Sequence, residues 1–467
     1  MVSQPATVTL AEAAVDELKS RVRGDLIQPG DAGYEEARKV YNGMIDRHPA
    51  LIVRCVDVAD VISAVNFARE QGLTLAVRGG GHNGPGLGTC DDGVVIDLAR
   101  MKGIRVDPAA KTVRVDGGCT WGEVDHATHP FGLATPSGFV STTGVGGLTL
   151  GGGIGYLSPI YGLTIDNLLS VDMVLADGSF VTANADEHPD LFWAVRGGGG
   201  NFGVVTSFKF RLHPVSTVYG GPIFWPLDQL PELMAFWRDY IQSAPADING
   251  WFGVVTVPPA PIFPEQFHLR KMCVIVWCDV GPLDQAAERF SAIRAFGAPA
   301  IDAAGPIPWP ALQSLFDALF PSGLQWYWKA DFFNELSDQT IALHKKYAEQ
   351  LPTPFSTMHL YPINRAVHQV GADETAFGFR DANFAEVIVA VDPDPANNPR
   401  MIQWAKDYWL ALHPYSAGGG YINMIMDEGE DQVKAAYRDN YARLARVKAT
   451  YDPSNLFRVN QNIKPVG

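Results

Sequence analysis

Glycine is concentrated in three short segments of this 467-residue chain, and this distribution constrains the fold more than any other feature. The segments span residues 78–84, 138–155 and 197–203, and eight of the 18 residues in the middle segment are glycine. Glycine weakens helices and strands, but it adopts tight turns and lets the backbone approach a neighbour closely. We therefore expect the middle segment to consist of loops and tight turns that lie against something.

The outer two segments match the nucleotide-binding pattern G-x-G-x-x-G, at 79–84 and at 198–203. That pattern indicates a Rossmann fold only where a helix follows it. Here the first match is followed by PGLGTCDDG, which cannot be helical, and the second by VVTSFKF, which is typical of a strand. Backbone N–H groups in turns still bind anions. Three glycine loops therefore indicate an extended phosphate-bearing ligand such as a diphosphate dinucleotide, with plain tight turns as the alternative.

Composition excludes several classes of protein. A net charge of −15 without a basic stripe argues against a nucleic-acid partner. No apolar run approaches the length of a membrane span, and the first 24 residues lack the features of a signal peptide. The five cysteines are scattered, which favours buried thiols over disulfides or a metal site. We expect a soluble, cytoplasmic protein with no metal and no membrane partner.

Hydrophobic patterning divides the chain near Pro214. Before it, LIVRCVD, a helical pattern over 57–72 and LTLAVR predict a β-α-β unit, preceded by an amphipathic helix at about 10–23. Asp177-Gly178 predicts a hairpin turn. After Pro214, five strand candidates alternate with helical stretches, which predicts an antiparallel sheet with helices on one side. The clearest later helical patterns cover 282–297, 336–350 and 430–451.

Five motifs resemble the berberine bridge enzyme-like flavoproteins of the vanillyl-alcohol oxidase superfamily. They are RGGGHN at 78–83, the TTGVGG to GGGIG loop at 142–155, YGLTIDN at 161–167, DLFWAVRGGGGNFGVVT at 190–206 and YDPSNLFRVNQNI at 451–463. The resemblance implies an α+β fold. A two-part FAD-binding domain of the p-cresol methylhydroxylase type would cover residues 1–214 and 418–467. A substrate domain, built on an antiparallel sheet with helices, would be inserted at 215–417.

The resemblance also implies FAD, bonded covalently to His82 through the flavin's 8-methyl carbon. A neutral imidazole is a competent nucleophile near neutral pH. Many relatives carry a second bond from a cysteine; Val140 takes its place here, so we expect a single attachment. Leu148 stands where many relatives have a histidine. The other residues that the resemblance assigns to FAD binding are Arg78, Gly79, Gly80, Gly81, Asn83, Gly84, Thr142, Thr143, Gly144, Gly146, Gly147, Gly152, Gly153, Gly200, Asn201, Gly203, Val204, Asn423 and Asn460. Asp166 and Asn167 either shape the same pocket or cap a turn.

Hydride transfer from an alcohol needs a base for the hydroxyl proton. Tyr421 matches the family's catalytic tyrosine, and we expect Lys329 to lower its pKa as a neighbouring cation. Strand alternation places Lys329 on the face opposite Trp328. His359 and Tyr361 form a similar same-face pair and are further candidates. Core packing is the alternative for the aromatic residues.

Thr143 falls where the family's oxygen-gating side chain lies, and its valine-like shape favours access of oxygen. We therefore expect an FAD-dependent oxidase of a small-molecule alcohol, either a sugar or a secondary metabolite, with oxygen as acceptor and hydrogen peroxide as product. The alternatives are an amine oxidase, a flavin dehydrogenase, and a non-catalytic, flavin-loaded drug-binding protein.

Overall fold

The computed structural model describes residues 10–466, so residues 1–9 and Gly467 of the predicted FAD-binding domain lie outside the described residues. Two regions are distinguished below. The flanking region comprises residues 10–214 and 418–466, and the central region comprises residues 215–417. The fold is α+β, as predicted from the sequence, whereas the domain boundaries themselves stay a prediction.

The first sheet of the flanking region contains the predicted β-α-β unit. The helix Val58–Glu70 begins after Asp57, whose side chain accepts a hydrogen bond from the Asp60 N–H. This is the favoured chemistry for the start of a helix. In spatial order the strands are Asp25–Ile27, Leu51–Arg54, Val94–Asp97 and Leu75–Arg78, and the last three are parallel. The first glycine-rich segment begins where the last of these strands ends.

The second sheet of the flanking region is antiparallel. Its strands, in spatial order, are Ile104–Asp107, Thr112–Asp116, Val204–Arg211, Leu168–Val174 and Phe180–Asn184. The predicted Asp177-Gly178 turn joins the last two strands, and Gly178 has a φ of +84°. A strand directly follows Gly203, which confirms that the second G-x-G-x-x-G match does not open a helix. Leu133–Ala134 pairs separately with His213–Pro214.

Two predictions about helices in the flanking region are wrong. The glycine-rich middle segment contains a short helix, Val145–Leu150. Val145 is fully buried there, and this tertiary packing outweighs the low helix propensity of two glycines. The pattern over 430–451 forms two helices instead of one, because Arg438 adopts a φ of +50°. The α-helices of this region are Glu12–Arg21, Tyr34–Ala37, Val58–Glu70, Trp121–Thr128, Val145–Leu150, Ser158–Tyr161, Pro189–Val195, Glu430–Tyr437 and Tyr441–Tyr451.

The central region is built on a large antiparallel sheet, which contains all five predicted strands. In spatial order its strands are Ile301–Asp302, Thr217–Pro226, Lys271–Asp279, Ile248–Thr256, Thr357–Pro362, Phe384–Asp392 and Gln325–Phe333, with Gly305–Pro308 also paired to the second. Its α-helices are Leu230–Ser243, Ala286–Arg289, Ser291–Ala295, Trp309–Gln313, Asp338–Glu349 and Asn398–Leu412. The pattern over 282–297 thus gives two short helices, interrupted at Phe290.

The two faces of the large sheet have different partners. Its three longest helices pack on one face, through residues such as Trp237, Ile341 and Tyr408. The other face packs against the flanking region and contributes Trp326 and Trp328 to the shared core. The predicted arrangement, with the main helices on one side, is confirmed. The face without these helices, called the free face below, packs against the glycine loops.

Within residues 10–466, no helix combines the length and apolar character needed to cross a bilayer. The same residues contain no group of three or more His, Cys, Asp or Glu side chains placed to hold a metal ion. All five cysteines are buried free thiols.

The C-terminal segment is fastened to the flanking region by a fully buried ion pair. Lys448 donates to Asp452 at 2.7 Å and to the backbone oxygen of Asn201 at 2.6 Å. Asp452 in turn accepts hydrogen bonds from the backbone N–H groups of Leu456 and Phe457. The pair therefore holds the chain's last segment against the third glycine-rich segment.

We expect Lys448→Met to lower the free energy of unfolding by about 3–5 kcal/mol, because it leaves the Asp452 carboxylate buried without its cation. Chemical denaturation followed by tryptophan fluorescence measures the change. Lys464→Met is the matched control, since the Lys464–Glu430 pair is exposed and such pairs contribute less than about 1 kcal/mol. Equal, small losses in both variants would contradict the structural role of the buried pair.

Candidate active site

A cavity lies between the glycine loops and the free face of the large sheet. Its wall combines the glycine-rich segments, residues 421–424, and the side chains of Trp328 and Tyr361 from the sheet. Glycine makes up a third of the lining residues, so backbone forms much of the wall. Among the described lining residues, Arg78 is the one charged side chain at neutral pH, and it is bonded to Asp97 at 2.8 Å. An anionic ligand here would depend on backbone N–H groups.

Two glycine loops touch each other at the bottom of this cavity. A Cβ atom on Gly144 would lie 2.3 Å from the backbone nitrogen of Gly80, and one on Gly80 would lie 2.4 Å from the nitrogen of Gly144. No side chain fits at either position, so the sequence requires glycine at both. Gly147 differs, because a Cβ atom there would have no protein atom within 4 Å and Gly147 lines the cavity.

His82 stands at the cavity wall between two flanking side chains. Its Nε2 lies 3.1 Å from the hydroxyl oxygen of Thr142. Its ring stacks on Tyr41, with centroids 4.1 Å apart and planes 18° apart. Burial lowers the pKa of His82 to about 4, so the imidazole is neutral near pH 7. A neutral imidazole has a nucleophilic lone pair.

Tyr421 also lines the cavity, and its hydroxyl is already engaged. That oxygen accepts a hydrogen bond from the Gly153 N–H at 2.9 Å and another from the Asn423 side-chain amide at 2.8 Å. Burial raises the pKa of Tyr421 to about 12, although both donors favour the phenolate. The phenol therefore stays protonated across the neutral range.

The prediction that Lys329 lowers the pKa of Tyr421 is wrong. Lys329 donates to Glu428 at 2.6 Å and lies over the Trp409 ring at 4.4 Å. The predicted alternation is present, since Trp328 lines the cavity on the opposite face of the strand. The sheet turns its Trp328 face towards the glycine loops, so Lys329 points to the helices.

Tyr361 and His359 form a buried pair at the same wall. The Tyr361 hydroxyl lies 2.6 Å from Nδ1 of His359, and Tyr361 lines the cavity while His359 lies behind it. Burial lowers the pKa of His359 well below its usual value and raises that of Tyr361. Nε2 of His359 is buried without a hydrogen-bond partner among the described residues. A neutral phenol and a neutral imidazole thus share one hydrogen bond beside the cavity.

The structure brings most of the predicted site residues together. Those that line the cavity are Arg78, Gly79, Gly80, Gly81, His82, Asn83, Thr143, Gly144, Gly146, Gly147, Gly200, Asn201, Gly203, Tyr361, Tyr421, Asn423 and Asn460. Three further predicted residues contact members of this set: Thr142 contacts His82, Gly153 contacts Tyr421, and His359 contacts Tyr361. Gly152 lies next to Gly153 and packs near Phe377.

Besides Lys329, four of the predicted residues lie away from the cavity. Gly84 packs against Trp328, and Val204 is buried in its strand. Asp166 pairs with Arg380 at 2.7 Å and accepts from a backbone N–H, while Asn167 donates to backbone oxygens in the same turn. Of the two alternatives for Asp166 and Asn167, the turn-capping role is the one these contacts support.

Sequence reasoning missed several wall residues. Phe139 lines the cavity and stacks on Tyr361, with centroids 4.2 Å apart. Trp328 and Met424 also line the cavity and were not singled out, because an aromatic or apolar residue in a strand or loop has no distinctive local pattern. Tyr41, which stacks on His82 without lining the cavity, was missed for the same reason. The wall on the side of the large sheet is consequently more aromatic than the motifs suggest.

Two family models match segments of the chain that contribute to the wall of this cavity. Residues 49–184 match the family model described as FAD binding domain, and residues 420–464 match the one described as Berberine and berberine like. The chain is 34% identical over 459 residues to an FAD-linked oxidoreductase of Dictyostelium discoideum, covering 98% of each chain. It is 29% identical over 464 residues to (R)-6-hydroxynicotine oxidase of Paenarthrobacter nicotinovorans, covering 96% of this chain and 98% of that one.

A solved structure gives the same result. The crystal structure of 6-hydroxy-D-nicotine oxidase from Arthrobacter nicotinovorans superposes with a TM-score of 0.85 at 27% identity, over 95% of this chain and 98% of the other. Fold and sequence together define an FAD-dependent oxidoreductase. The chain belongs to the berberine bridge enzyme-like family.

The wall of the cavity fits FAD. Its uncharged, glycine-rich part offers backbone to a diphosphate, and the open space above Gly147 is a cradle that a side chain would fill. His82 and Asn460 stand on the wall of the same cavity. The loops at 78–83, 143–147 and 199–203 are the candidates for holding the cofactor.

Replacing Gly147 by alanine should weaken flavin binding without affecting folding. Gly147→Ala should keep the native thermal stability, because no protein atom obstructs its Cβ atom, yet weaken FAD binding by occupying the cavity. Gly144→Ala should instead destabilise the protein, because its Cβ atom meets the backbone of Gly80. Thermal unfolding and FAD content after purification measure the two effects. Full FAD content in a stable Gly147→Ala protein would place the cofactor elsewhere.

Proposed function

We propose that this oxidoreductase is an oxidase that carries its FAD on a single bond to His82, oxidises an alcohol and gives hydrogen peroxide from oxygen. The observation that carries the alcohol assignment is the pair of Tyr361 and His359, joined by a 2.6 Å hydrogen bond at the cavity wall. An alcohol loses its hydroxyl proton when its carbon gives up a hydride, so a proton acceptor must lie within reach.

The bound FAD would accept the hydride and pass the two electrons to oxygen. The chain's own residues would move the proton. The Tyr361 oxygen accepts the substrate's hydroxyl proton while the phenol's proton passes to Nδ1 of His359. Burial leaves the His359 imidazole neutral, with a free lone pair on Nδ1, and keeps the Tyr361 phenol protonated until the reaction. Because its low pKa makes His359 a weak base, the proton has to move in the same step as the hydride.

The charge of the cavity wall supports an alcohol over an amine. The described lining residues include no Asp or Glu that would balance a protonated amine. The rings of Phe139, Trp328 and Tyr361 favour a substrate with a flat apolar ring, which fits a secondary metabolite better than a sugar. Amine oxidation is the second candidate, since hydroxynicotine, for which one relative is named, is an amine.

Single covalent attachment is supported by two side chains of the same cavity. His82 presents a neutral imidazole at the wall. Val140 lines the cavity at the place of the family's second attachment residue, and valine has no atom that can form a thioether. Thr143 lines the same cavity, and its valine-like shape supports access of oxygen to the flavin.

Anaerobic mixing with matched substrates tests the reaction class. We expect an aromatic alcohol such as cinnamyl alcohol to bleach the flavin, and glucose and cinnamylamine to leave it coloured. On admission of air the colour should return with one hydrogen peroxide per turnover, and Thr143→Leu should slow that return without affecting the bleaching. Bleaching by the amine alone would support the second candidate, and bleaching by none of the three would contradict alcohol oxidation.

Replacing Tyr361 and Tyr421 one at a time shows which of the two phenols takes part in the proton transfer. Tyr361→Phe should slow flavin reduction by an alcohol about a hundred- to ten-thousandfold, the usual contribution of general-base assistance. Tyr421→Phe is the matched control, because that hydroxyl already accepts two protein hydrogen bonds. Stopped-flow absorbance measures both rates. The opposite order of effects would assign the proton transfer to Tyr421, as first predicted from the sequence.

A further inference from the structure

The segment of residues 41–43 connects the loop that carries His82 to the large sheet. The Tyr41 N–H donates to the Gly81 oxygen at 3.0 Å, and the Tyr41 oxygen accepts from the Gly323 N–H at 2.9 Å. The Gly43 N–H donates to the Leu324 oxygen at 2.7 Å. The backbone of Tyr41 is therefore fixed on both sides by residues from different regions of the fold.

Asn42 strengthens the same connection. Its side-chain amide donates to the Gly84 oxygen at 2.7 Å and to the Trp326 oxygen at 2.9 Å, and its oxygen accepts from the Trp326 N–H at 3.0 Å. The side chain is 1% exposed. Such a fully satisfied buried amide leaves the neighbouring Tyr41 little freedom to move.

The ring of Tyr41 is held between two other rings. On one side it stacks on His82, and on the other it stacks on Trp326 with centroids 5.1 Å apart. Its hydroxyl donates to the Phe320 oxygen at 2.7 Å. Thr142 meets His82 from a different direction, at Nε2. The imidazole plane and Nε2 are thus fixed, Thr142 also contacts the ring through its backbone, and Nδ1 is the nitrogen that the Thr142 hydroxyl leaves available.

We propose that Tyr41 and Thr142 are positioning residues for covalent attachment of the flavin, and that they hold the His82 imidazole with Nδ1 directed to the bond-forming carbon. This inference rests on the proposed attachment at His82. Attachment depends strongly on orientation, because a misplacement of about 1 Å can cost a hundredfold in rate. A side chain on a glycine loop has few neighbours to orient it, and the stacked ring of Tyr41 supplies one.

The bond-forming step balances with oxygen as the oxidant. A carbon–nitrogen bond forms between the imidazole and the flavin's 8-methyl carbon. One C–H bond of the methyl group and the N–H bond of the imidazole break. The two protons and two electrons released convert one oxygen molecule to hydrogen peroxide.

The test follows attachment in protein prepared without flavin. FAD is added in air, and covalent flavin is measured over time by fluorescence in denaturing gels and by intact mass. We expect Tyr41→Leu to attach flavin about two- to tenfold more slowly than the native protein, because a stacked ring pair contributes up to about tenfold to an equilibrium. Tyr41→Phe keeps the ring and should attach at the native rate. Thr142→Val, which is nearly isosteric, should also be slower.

Binding of FAD has to be measured apart from bond formation. In a His82→Ala background no bond forms, so flavin fluorescence quenching gives the dissociation constant alone. Adding Tyr41→Leu or Thr142→Val to this background should change that constant by less than about twofold. Circular dichroism checks folding; if Tyr41→Leu does not fold, Thr142→Val still tests whether contacts to the imidazole control attachment.

Each outcome has a definite meaning. Native attachment rates in Tyr41→Leu or in Thr142→Val would overturn the inference for that residue. Attachment as slow in Tyr41→Phe as in Tyr41→Leu would overturn the role of stacking, because the Phe variant keeps the ring and lacks only the hydroxyl. Affinity that falls in parallel with rate would show a role in binding instead of orientation. Native protein that releases all its flavin in acid would overturn the attachment at His82 itself, before any variant is compared.

Discussion

The contact between Gly80 and Gly144 is the constraint on which the cavity depends. Two loops from distant parts of the chain approach until a Cβ atom on either would meet the other's backbone. This contact brings the loop of His82 beside the helix Val145–Leu150, so their backbones form one continuous wall. An acidic protein with almost no charged side chain in that wall can hold a diphosphate only through backbone dipoles, and close approach of bare backbone is what glycine permits.

Local patterns predicted the elements well wherever local chemistry decides the structure. The helix predicted over 57–72, the Asp177-Gly178 hairpin and the strand after Gly203 all follow from short-range rules. The failures lie where distant packing decides. The helix Val145–Leu150 forms because Val145 is buried by other segments. The break between the two C-terminal helices comes from the positive φ of Arg438, which no residue pattern predicts.

The candidate site shows the same division. Motifs indicated the glycine loops and His82, because close approach of a ligand restricts residue type. Strand alternation correctly separated Lys329 from Trp328, but alternation cannot say which face of a sheet meets a second region. Tyr41 was missed for a related reason: it lies in a loop without a motif, and its place beside His82 depends on Trp326 and Phe320, which the central region supplies.

The buried ion pair of Lys448 and Asp452 has a consequence for the synthesis of the protein. It holds the final segment, which supplies Asn460, against a glycine loop made about 260 residues earlier. At roughly 5–20 residues per second, a ribosome takes roughly 10–50 seconds to cover that interval. Throughout this time the nascent chain presents an unfinished wall, so a shortened polypeptide would lack one side of the cavity. The wall can therefore close only after the segment that carries Asn460 has been synthesised.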